Sequence, residues 1–528
     1  MKTSEAPREP IPRQPTPRWR FLTICALGLL LLTVATRLPL ISLERPIDDE
    51  VVYAVVGQTI VDGGIPYVSA VERKPPLLFY VYAAVLRLFG HDNWRALHGV
   101  EVAWILATMA GLYLAGRRMF DDATGLMAAL LYSIFQAWSY WNNLAFNGEV
   151  LMNLPIAWAY ALAFSRARSA RFMNLCLAGA LVAVGFLLKQ PASIALVPLA
   201  ILILLPSYRR GGHFTFEHSI GQLLSLGFGF AMVLSAAALW LWSRGLFGEA
   251  FYWTITNHAV PEFFWIKGLE NTVAFTAFCL PLTAGAWVSW RDRGLWAGRR
   301  PERLTLVLLV IVSLVGAGSS GRFYPHYYIA VIPPCALLAA PWLARAWRGT
   351  GRERRMAQVT QIWLTATVII FAVAHGRGLS RQPAMSEAGQ YLMAHSSADD
   401  RIFVWGQATR IYVDAHRRPA SRFIATFPLT GLIFGAPSAA AGEHAIDTRS
   451  RIVPGSWDKL GADFAAHQPV FIVDTETAKD ARYPIHQFPA LEQLLFRDYE
   501  AVAETVDGII YKRDRSKQDP LTAEPASE

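Results

Sequence analysis

Residues 22–40 read LTICALGLLLLTVATRLPL, an apolar run broken by a single charge, Arg37. A helix rising 1.5 Å per residue needs about 20 such positions to cross the hydrocarbon core of a bilayer. The run exceeds the apolar region of a cleavable secretion signal, and no small-x-small cleavage site follows it, so it predicts a retained membrane helix. Ahead of it, Lys2, Arg8, Arg13, Arg18 and Arg20 outnumber Glu5 and Glu9. That excess predicts a cytoplasmic N-terminus, on a Pro- and Arg-rich segment (1–20) expected to be disordered.

The pattern repeats outward from this run. Apolar blocks follow at 96–115, 124–140, 150–164, 172–188, 193–205, 223–242, 273–290, 304–317, 327–343 and 358–374. Alternate loops between them carry Arg117 and Arg118; Arg166, Arg168 and Arg171; Arg209 and Arg210; Arg291, Arg293, Arg299, Arg300 and Arg303; and Arg345, Arg348, Arg352, Arg354 and Arg355. The intervening loops hold only isolated basic residues, so the alternation predicts about eleven transmembrane helices with these arginines inside. The 193–205 block is too short for a full span and predicts a helical hairpin near Lys189-Gln190-Pro191, ending within the membrane against protein. The 77–89 stretch is read as an interfacial helix on the outer surface.

Composition agrees. Hydrophobic residues make up 53% of the 528 positions, above the 45–50% usual for soluble domains. The net charge of +9 sits in short loops, which makes the arginines topology determinants rather than a nucleic-acid surface. Cys25, Cys176, Cys279 and Cys335 all fall in apolar blocks without ligand spacing, which argues against a disulfide framework or a cysteine nucleophile.

From about Gly376 the composition turns soluble. Segments 402–405, 422–425 and 470–473 read as short buried strands; 385–394, 458–466 and 491–496 read as helices. Asp507-Gly508 marks a hairpin. The expected organisation is a cytoplasmic tail (1–20), a transmembrane domain (21–375), a small extracytoplasmic α/β domain (376–514) and a disordered tail (515–528).

Four clusters of polar residues fall on the outer side in this topology. The first outer loop carries Asp48-Asp49-Glu50-Val51-Val52-Tyr53, then Gly63-Gly64-Ile65-Pro66-Tyr67 and Lys74-Pro75-Pro76-Leu77. The third carries Asn142-Asn143 and, further on, Glu149. Lys189 follows the 172–188 block, and Gly321-Arg322-Phe323-Tyr324-Pro325-His326-Tyr327 precedes the 327–343 block. Each has a bland reading: acids favour the first turn of a helix, and Lys or Arg at a helix end snorkels. Together they place acids and bases where an anionic head group docks while an apolar tail stays in lipid. Lys and Arg stabilise a phosphate leaving group, and a carboxylate accepts the proton of an attacking hydroxyl or amine.

The order Asp49-Glu50-x-x-Tyr53-Ala54, Gly63/Gly64-x-Pro66-Tyr67, Lys74-Pro75-Pro76-Leu77, with a later Tyr324-Pro325-His326-Tyr327, resembles GT-C membrane glycosyltransferases. It is most similar to the lipid A aminoarabinose transferase and protein O-mannosyltransferase group (glycosyltransferase families 39 and 83) over roughly residues 20–375. Asp48 precedes the usual Asp-Glu pair and is a departure. The resemblance implies a polytopic helical fold and inverting transfer of one hexosyl or pentosyl unit from a polyprenyl-phosphate donor. The acceptor would be a lipid, glycan or protein at the outer face of a bacterial cytoplasmic membrane, with no nucleic acid involved. By position it implies Asp49 as general base and Glu50 beside it, orienting the acceptor or supporting the loop. Lys74, Lys189, Arg322 and His326 would bind the donor phosphate, Glu149 would be a second acid near the site, and Tyr53 and Tyr67 would shape the sugar pocket. It requires no cofactor, although a carboxylate pair beside His326 has the donor types for a divalent cation. The competing readings are a transporter or flippase of lipid-linked sugars, disfavoured by the lack of two-half symmetry, and an inert membrane scaffold.

Overall fold

The computed structural model describes residues 18–43, 45–47, 49–138, 144–165, 167, 169–205, 216–258, 263–380, 385–433, 447–477 and 482–514. Asp48, the Asn142-Asn143 pair, Arg166, Arg168, Arg209, Arg210 and most of the two tails lie outside the described residues. The membrane part runs α1 (Arg18–Ile41), α2 (Asp49–Val61), α3 (Pro76–Phe89), α4 (Trp94–Met119), α5 (Asp122–Phe135), α6 (Gly148–Ala163), α7 (Arg171–Leu188) and α8 (Leu196–Leu204). It continues α9 (Phe216–Ser243), α10 (Phe247–Thr254), α11 (Trp265–Phe278), α12 (Leu280–Arg291), α13 (Arg300–Gly318), α14 (Ile332–Arg348) and α15 (Gly351–Ser380). Among the described residues seven helices are long and apolar enough to cross a membrane, or up to eight if α11 and α12 count as one bent span. Shorter apolar helices, α3, α5 and the Gln190–Leu204 segment, complete the bundle. The protein is a multi-pass membrane protein.

Burial sorts the helices. The span from Pro325 through α14 is 89% buried, whereas the α9 span is 11% buried, so α14 is the bundle's axis and α9 its lipid-facing rim. Leu224, Phe228, Leu239 and Trp242 of α9 are accordingly exposed, as a bilayer contact allows. Helix contact relies on small residues, because apolar association has little driving force in lipid. A Cβ on Gly179 of α7 would stand 1.9 Å from the Leu226 carbonyl oxygen, and one on Gly229 of α9 would stand 1.8 Å from that of Cys176. The two backbones therefore touch where only hydrogen fits.

Three sequence expectations are corrected. The single block at 273–290 is two helices bent by 85°, because Pro281 cannot donate to the preceding turn and Cys279 leaves helical geometry (φ −99°, ψ 26°). The helix expected to run to 140 closes at Phe135. The 422–425 stretch is not a strand: its turn places the Arg422 N–H on Asp463 Oδ2 at 2.9 Å and the Ile424 N–H on the Arg422 carbonyl at 3.1 Å.

The C-terminal domain comprises α16 (Glu387–His395), α17 (Arg410–Ala415), α18 (Phe427–Thr430), α19 (Ser456–His467) and α20 (Pro489–Asp498) around a sheet. Its strands are β1 (Arg401–Trp405), β2 (Arg418–Pro419), β3 (Phe471–Asp474), β4 (Tyr499–Thr505) and β5 (Gly508–Arg513), in the order β2-β1-β3-β5-β4. The first three are parallel and the β4–β5 hairpin is antiparallel. The hairpin turns at Val506-Asp507, with Gly508 at φ 141° where a Cβ would strike the Asp474 carbonyl. The domain docks on the membrane part through the Val71 N–H to the Arg422 carbonyl (2.8 Å), Lys459 to Glu249 (3.3 Å) and His416 to Asp92 (3.1 Å).

Gly229→Ala is expected to destabilise the detergent-purified protein by about 1–3 kcal/mol, the usual range for forced overpacking. Gly227→Ala, where a Cβ meets nothing within 4 Å, leaves the melting temperature unchanged. Thermal unfolding of the two variants checks both.

Candidate active site

Asp49 opens α2, where an ionised carboxylate is favoured by the helix dipole. One turn on, the Tyr53 hydroxyl donates to Asp49 Oδ2 at 2.9 Å. Burial pushes the Asp49 carboxyl up, but Lys74, His326, Lys189 and the Tyr53 hydrogen bond together outweigh it and hold the group at about 2. The folded value is depressed, so the stabilisation is present above the ordinary carboxylate range and lost as pH falls towards 2.

Glu50 points elsewhere. It is fully buried, and its carboxylate accepts the Ile47 N–H at 2.9 Å and the Phe146 N–H at 2.6 Å, with His98 Nε2 at 3.4 Å. The carboxylates of Asp49 and Glu50 therefore do not converge as an ion-binding pair.

Lys74 ends a tight outer segment. Tyr67 adopts a left-handed φ of 69°; its N–H donates to the Ala70 carbonyl, and its hydroxyl, on a fully buried ring, donates to the Lys74 carbonyl at 2.8 Å. Tyr67 thus fixes the backbone of Lys74 from behind. Burial lowers the Lys74 ammonium, but Asp49 and Glu72 outweigh it and leave the group above its ordinary value. Arg73, a residue the sequence reading did not single out, lies with its guanidinium 4.4 Å from the Phe427 ring of α18. Burial, and then Arg322 nearby, bring it down to about 10, so it stays charged at neutral pH. Gln190 Nε2 holds this segment, donating to the Arg73 carbonyl at 2.9 Å and the Thr254 carbonyl at 3.1 Å.

Glu149 lies in the first turn of α6, behind an Asn147 cap that accepts the Val150 N–H at 3.3 Å. Its carboxylate is ion-paired with Lys189. Lys189 is extended between α7 and a 3₁₀ segment, Gln190–Ala195, and its ammonium lies 4.8 Å from the Tyr327 ring. The aliphatic stem runs across Gly148, where a Cβ would stand 2.6 Å from Lys189 Cδ. Pro325 starts a second 3₁₀ segment, Pro325–Val331, which stacks His326 on Tyr324 at 5.7 Å.

These groups surround a cavity of about 420 Å³. Its lining includes Arg73, Lys74, Glu149, Lys189 and Arg322 together with apolar residues such as Ile156, Ile194, Leu309, Ala317 and Ala330. Asp49 and His326 lie within electrostatic reach of its charged residues. Of the sequence candidates, Lys74, Glu149, Lys189 and Arg322 line the cavity, Tyr53 and Tyr67 stand behind it, and Glu50 faces away. A lining that joins cations with hydrocarbon can hold an anionic head group on an apolar chain. Among the described residues no group of three or more His, Cys, Asp or Glu side chains is arranged to hold a metal ion.

Residues 73–240 match a family profile described as dolichyl-phosphate-mannose-protein mannosyltransferase. No curated protein sequence matches. Solved structures of similar fold include ArnT from Cupriavidus metallidurans bound to undecaprenyl phosphate, at TM-score 0.62 and 16% identity, covering 96% of this chain and 100% of that one. The Archaeoglobus fulgidus oligosaccharyltransferase tethered to an acceptor peptide aligns at TM-score 0.55 and 14% identity, over 96% of this chain and 75% of that one. The same organism's AglB, in complex with an inhibitory peptide and a dolichol-phosphate, aligns at 0.52 and 13%, again over 96% and 75%. The chain shares the fold of these solved structures.

Removing Glu50 strands two buried N–H groups and His98. Glu50→Ala is expected to cost about 3–5 kcal/mol of stability, the range for breaking a buried ionic knot. Asp49→Asn should leave the melting temperature within a few degrees of the parent. Equal destabilisation by the two would show that Asp49 and Glu50 share one role.

Proposed function

We propose that the protein is an inverting glycosyltransferase that moves one sugar from a polyprenyl-phosphate donor to an acceptor hydroxyl or amine at the outer face of a bacterial cytoplasmic membrane. The observation that carries this is the cavity lined by Arg73, Lys74, Lys189 and Arg322 together with apolar residues of the bundle helices. The arginine-rich alternate loops support an inside N-terminus and an outside C-terminal domain. The relatives of like fold support a lipid-phosphate donor, since one is bound to undecaprenyl phosphate and another is in complex with a dolichol-phosphate.

In this reading Asp49 accepts the acceptor's proton as the acceptor oxygen or nitrogen bonds to the anomeric carbon. The bond from that carbon to the phosphate oxygen breaks on the opposite face, which inverts the centre. The donor phosphate is a diester with one negative charge, and it leaves as a monoester with two. Lys74, Lys189 and Arg322, with Arg73, therefore meet more charge in the transition state than in the ground state, which is the condition for catalysis. His326 lies beside the phosphate, and Glu149, its ion-pair partner, holds Lys189 in place. Glu50, Tyr53 and Tyr67 act as positioning residues.

The same cations that bind phosphate hold Asp49 at about 2, where a carboxylate is a poor base. A donor phosphate among them offsets their field and raises the carboxyl. The base thus strengthens as the donor binds, which restricts proton abstraction to the loaded site.

Asp49→Asn is expected to lower turnover of polyprenyl-phosphate sugars by about 10²–10⁴-fold, the usual worth of a general base, with undecaprenyl phosphate still bound. Unimpaired turnover would sink the assignment. Lys74→Ala should raise the donor KM at least about tenfold, the loss of one charged hydrogen bond. It also removes the strongest influence that lowers Asp49, so the acid limb of its pH–rate profile should move up relative to the parent measured on the same donor. An unchanged limb would mean that Asp49 is not the titrating base.

A further inference from the structure

We infer that Phe323 and the two glycines that grip its ring, Gly268 and Gly318, form a cradle that positions the phosphate-facing Arg322 and the Tyr324–His326 stack. This rests on the reading of the cavity as a donor site.

The backbone at Phe323 is left-handed, φ 51°, a conformation that is a genuine outlier for a bulky residue and persists only when its surroundings over-determine it. They do so here from three sides. A Cβ on Gly268 of α11 would stand 2.9 Å from the Phe323 ring, and one on Gly318 at the end of α13 would stand 2.8 Å from it. The ring therefore fills a slot that exists only because both residues lack a side chain. The Phe323 carbonyl accepts from Asn271 Nδ2 at 2.9 Å, and the Trp265 ring lies 5.9 Å away.

The hold continues along the segment. The Phe264 N–H donates to the Gly321 carbonyl at 2.9 Å, Lys267 lies 5.0 Å from the Tyr324 ring, and Thr272 and Tyr328 share a hydrogen bond of 2.7 Å. One face of a single helix thus fixes positions 321–328. With Gly321 (φ 70°) and Phe323 both left-handed, the chain reverses on either side of Arg322. That reversal lets Arg322 line the cavity while Tyr324 and His326 stack beside Asp49. The opposite face of α11 exposes Ile266, Leu269 and Val273, a surface for the bilayer. The phosphate-facing turn is accordingly set by a half-helix that rests in lipid, bent 85° away from its continuation.

The test uses the full-length protein in detergent. Gly268→Ala and Gly318→Ala are each compared with the parent for amide hydrogen exchange of the 320–328 peptide, undecaprenyl phosphate affinity, and kcat and KM. The expected result is faster exchange in that peptide, with affinity for undecaprenyl phosphate lowered about tenfold or more, since a misplacement of about 1 Å in a positioned group costs up to about a hundredfold. Exchange elsewhere and the melting temperature should stay near the parent. Phe323→Leu, which shortens the ring, should restore affinity when combined with Gly268→Ala. Alanine variants with parental exchange and affinity, or a double variant no better than Gly268→Ala alone, would overturn the cradle. A parent that neither binds undecaprenyl phosphate nor turns donor over would overturn the donor-site reading instead, and the exchange measurement would still decide the cradle.

Discussion

Glu50 ties together three stretches that are distant in sequence. Its carboxylate takes N–H groups from Ile47 and Phe146 and faces His98, all in a fully buried setting. A charge there is tolerable only because it is met by fixed dipoles and a partner. Asp49 is the preceding residue, and Glu149 follows Phe146 by three positions. The knot therefore links Asp49, which lies within electrostatic reach of the cavity's cations, to Glu149, which lines the cavity. A second buried pair stands behind it: Arg37 of α1 and Glu101 of α4, 2.8 Å apart, with Arg37 also donating to the Leu144 carbonyl and the Gln136 side chain. The only charge in the first apolar run is thus a tether for the loop that leads to Glu149.

The cavity carries the opposite design. Arg73, Lys74, Lys189 and Arg322 gather four cations, with Asp49, Glu72 and Glu149 among the acids nearby. Like charges held together at low dielectric repel, and Arg73 responds by losing basicity to burial and to Arg322. Such a cluster is relieved by an incoming anion. The knots around Glu50 and Arg37 pair acid with base inside the bundle, whereas the cationic cluster lines the cavity.

The sequence made the membrane part legible because bilayer thickness and loop charge act on whole segments. It also exposed Asp49, Lys74, Glu149, Lys189 and Arg322, since charged residues at helix ends stand out against apolar blocks. It misjudged what depends on side-chain direction. Asp49 and Glu50 look alike as neighbours, yet successive helical positions point about 100° apart, so Asp49 faces the cations near the cavity and Glu50 the knot. Arg73 was hidden by its neighbour Lys74, and its contact with Phe427 joins positions no local pattern connects. The bend at Cys279 was masked because α11 and α12 together have the length and hydropathy of one span. The 422–425 run has strand composition, but Asp463 takes its backbone N–H, and a ladder cannot form without that donor.

The Phe427 contact also changes what the C-terminal domain is for. The segment that carries Arg73 and Lys74 is short, holds a left-handed Tyr67, and lies between the helical bundle and this domain. On the bundle side it is fixed by Gln190 and by the Tyr67 hydroxyl on the Lys74 carbonyl. On the domain side it is fixed by Val71 bonding the Arg422 carbonyl and by Arg73 against Phe427. Arg422 is itself clamped by Asp463, with four contacts between 2.8 and 3.2 Å. A guanidinium facing an aromatic ring is attracted by the ring's face and keeps its charge, so Arg73 is held against α18 while it lines the cavity. The soluble domain therefore stands outside the cavity lining and packs against the segment that carries Arg73 and Lys74. That contact couples a domain built on ordinary β-strand pairing to a site made by membrane helices and the segment between them.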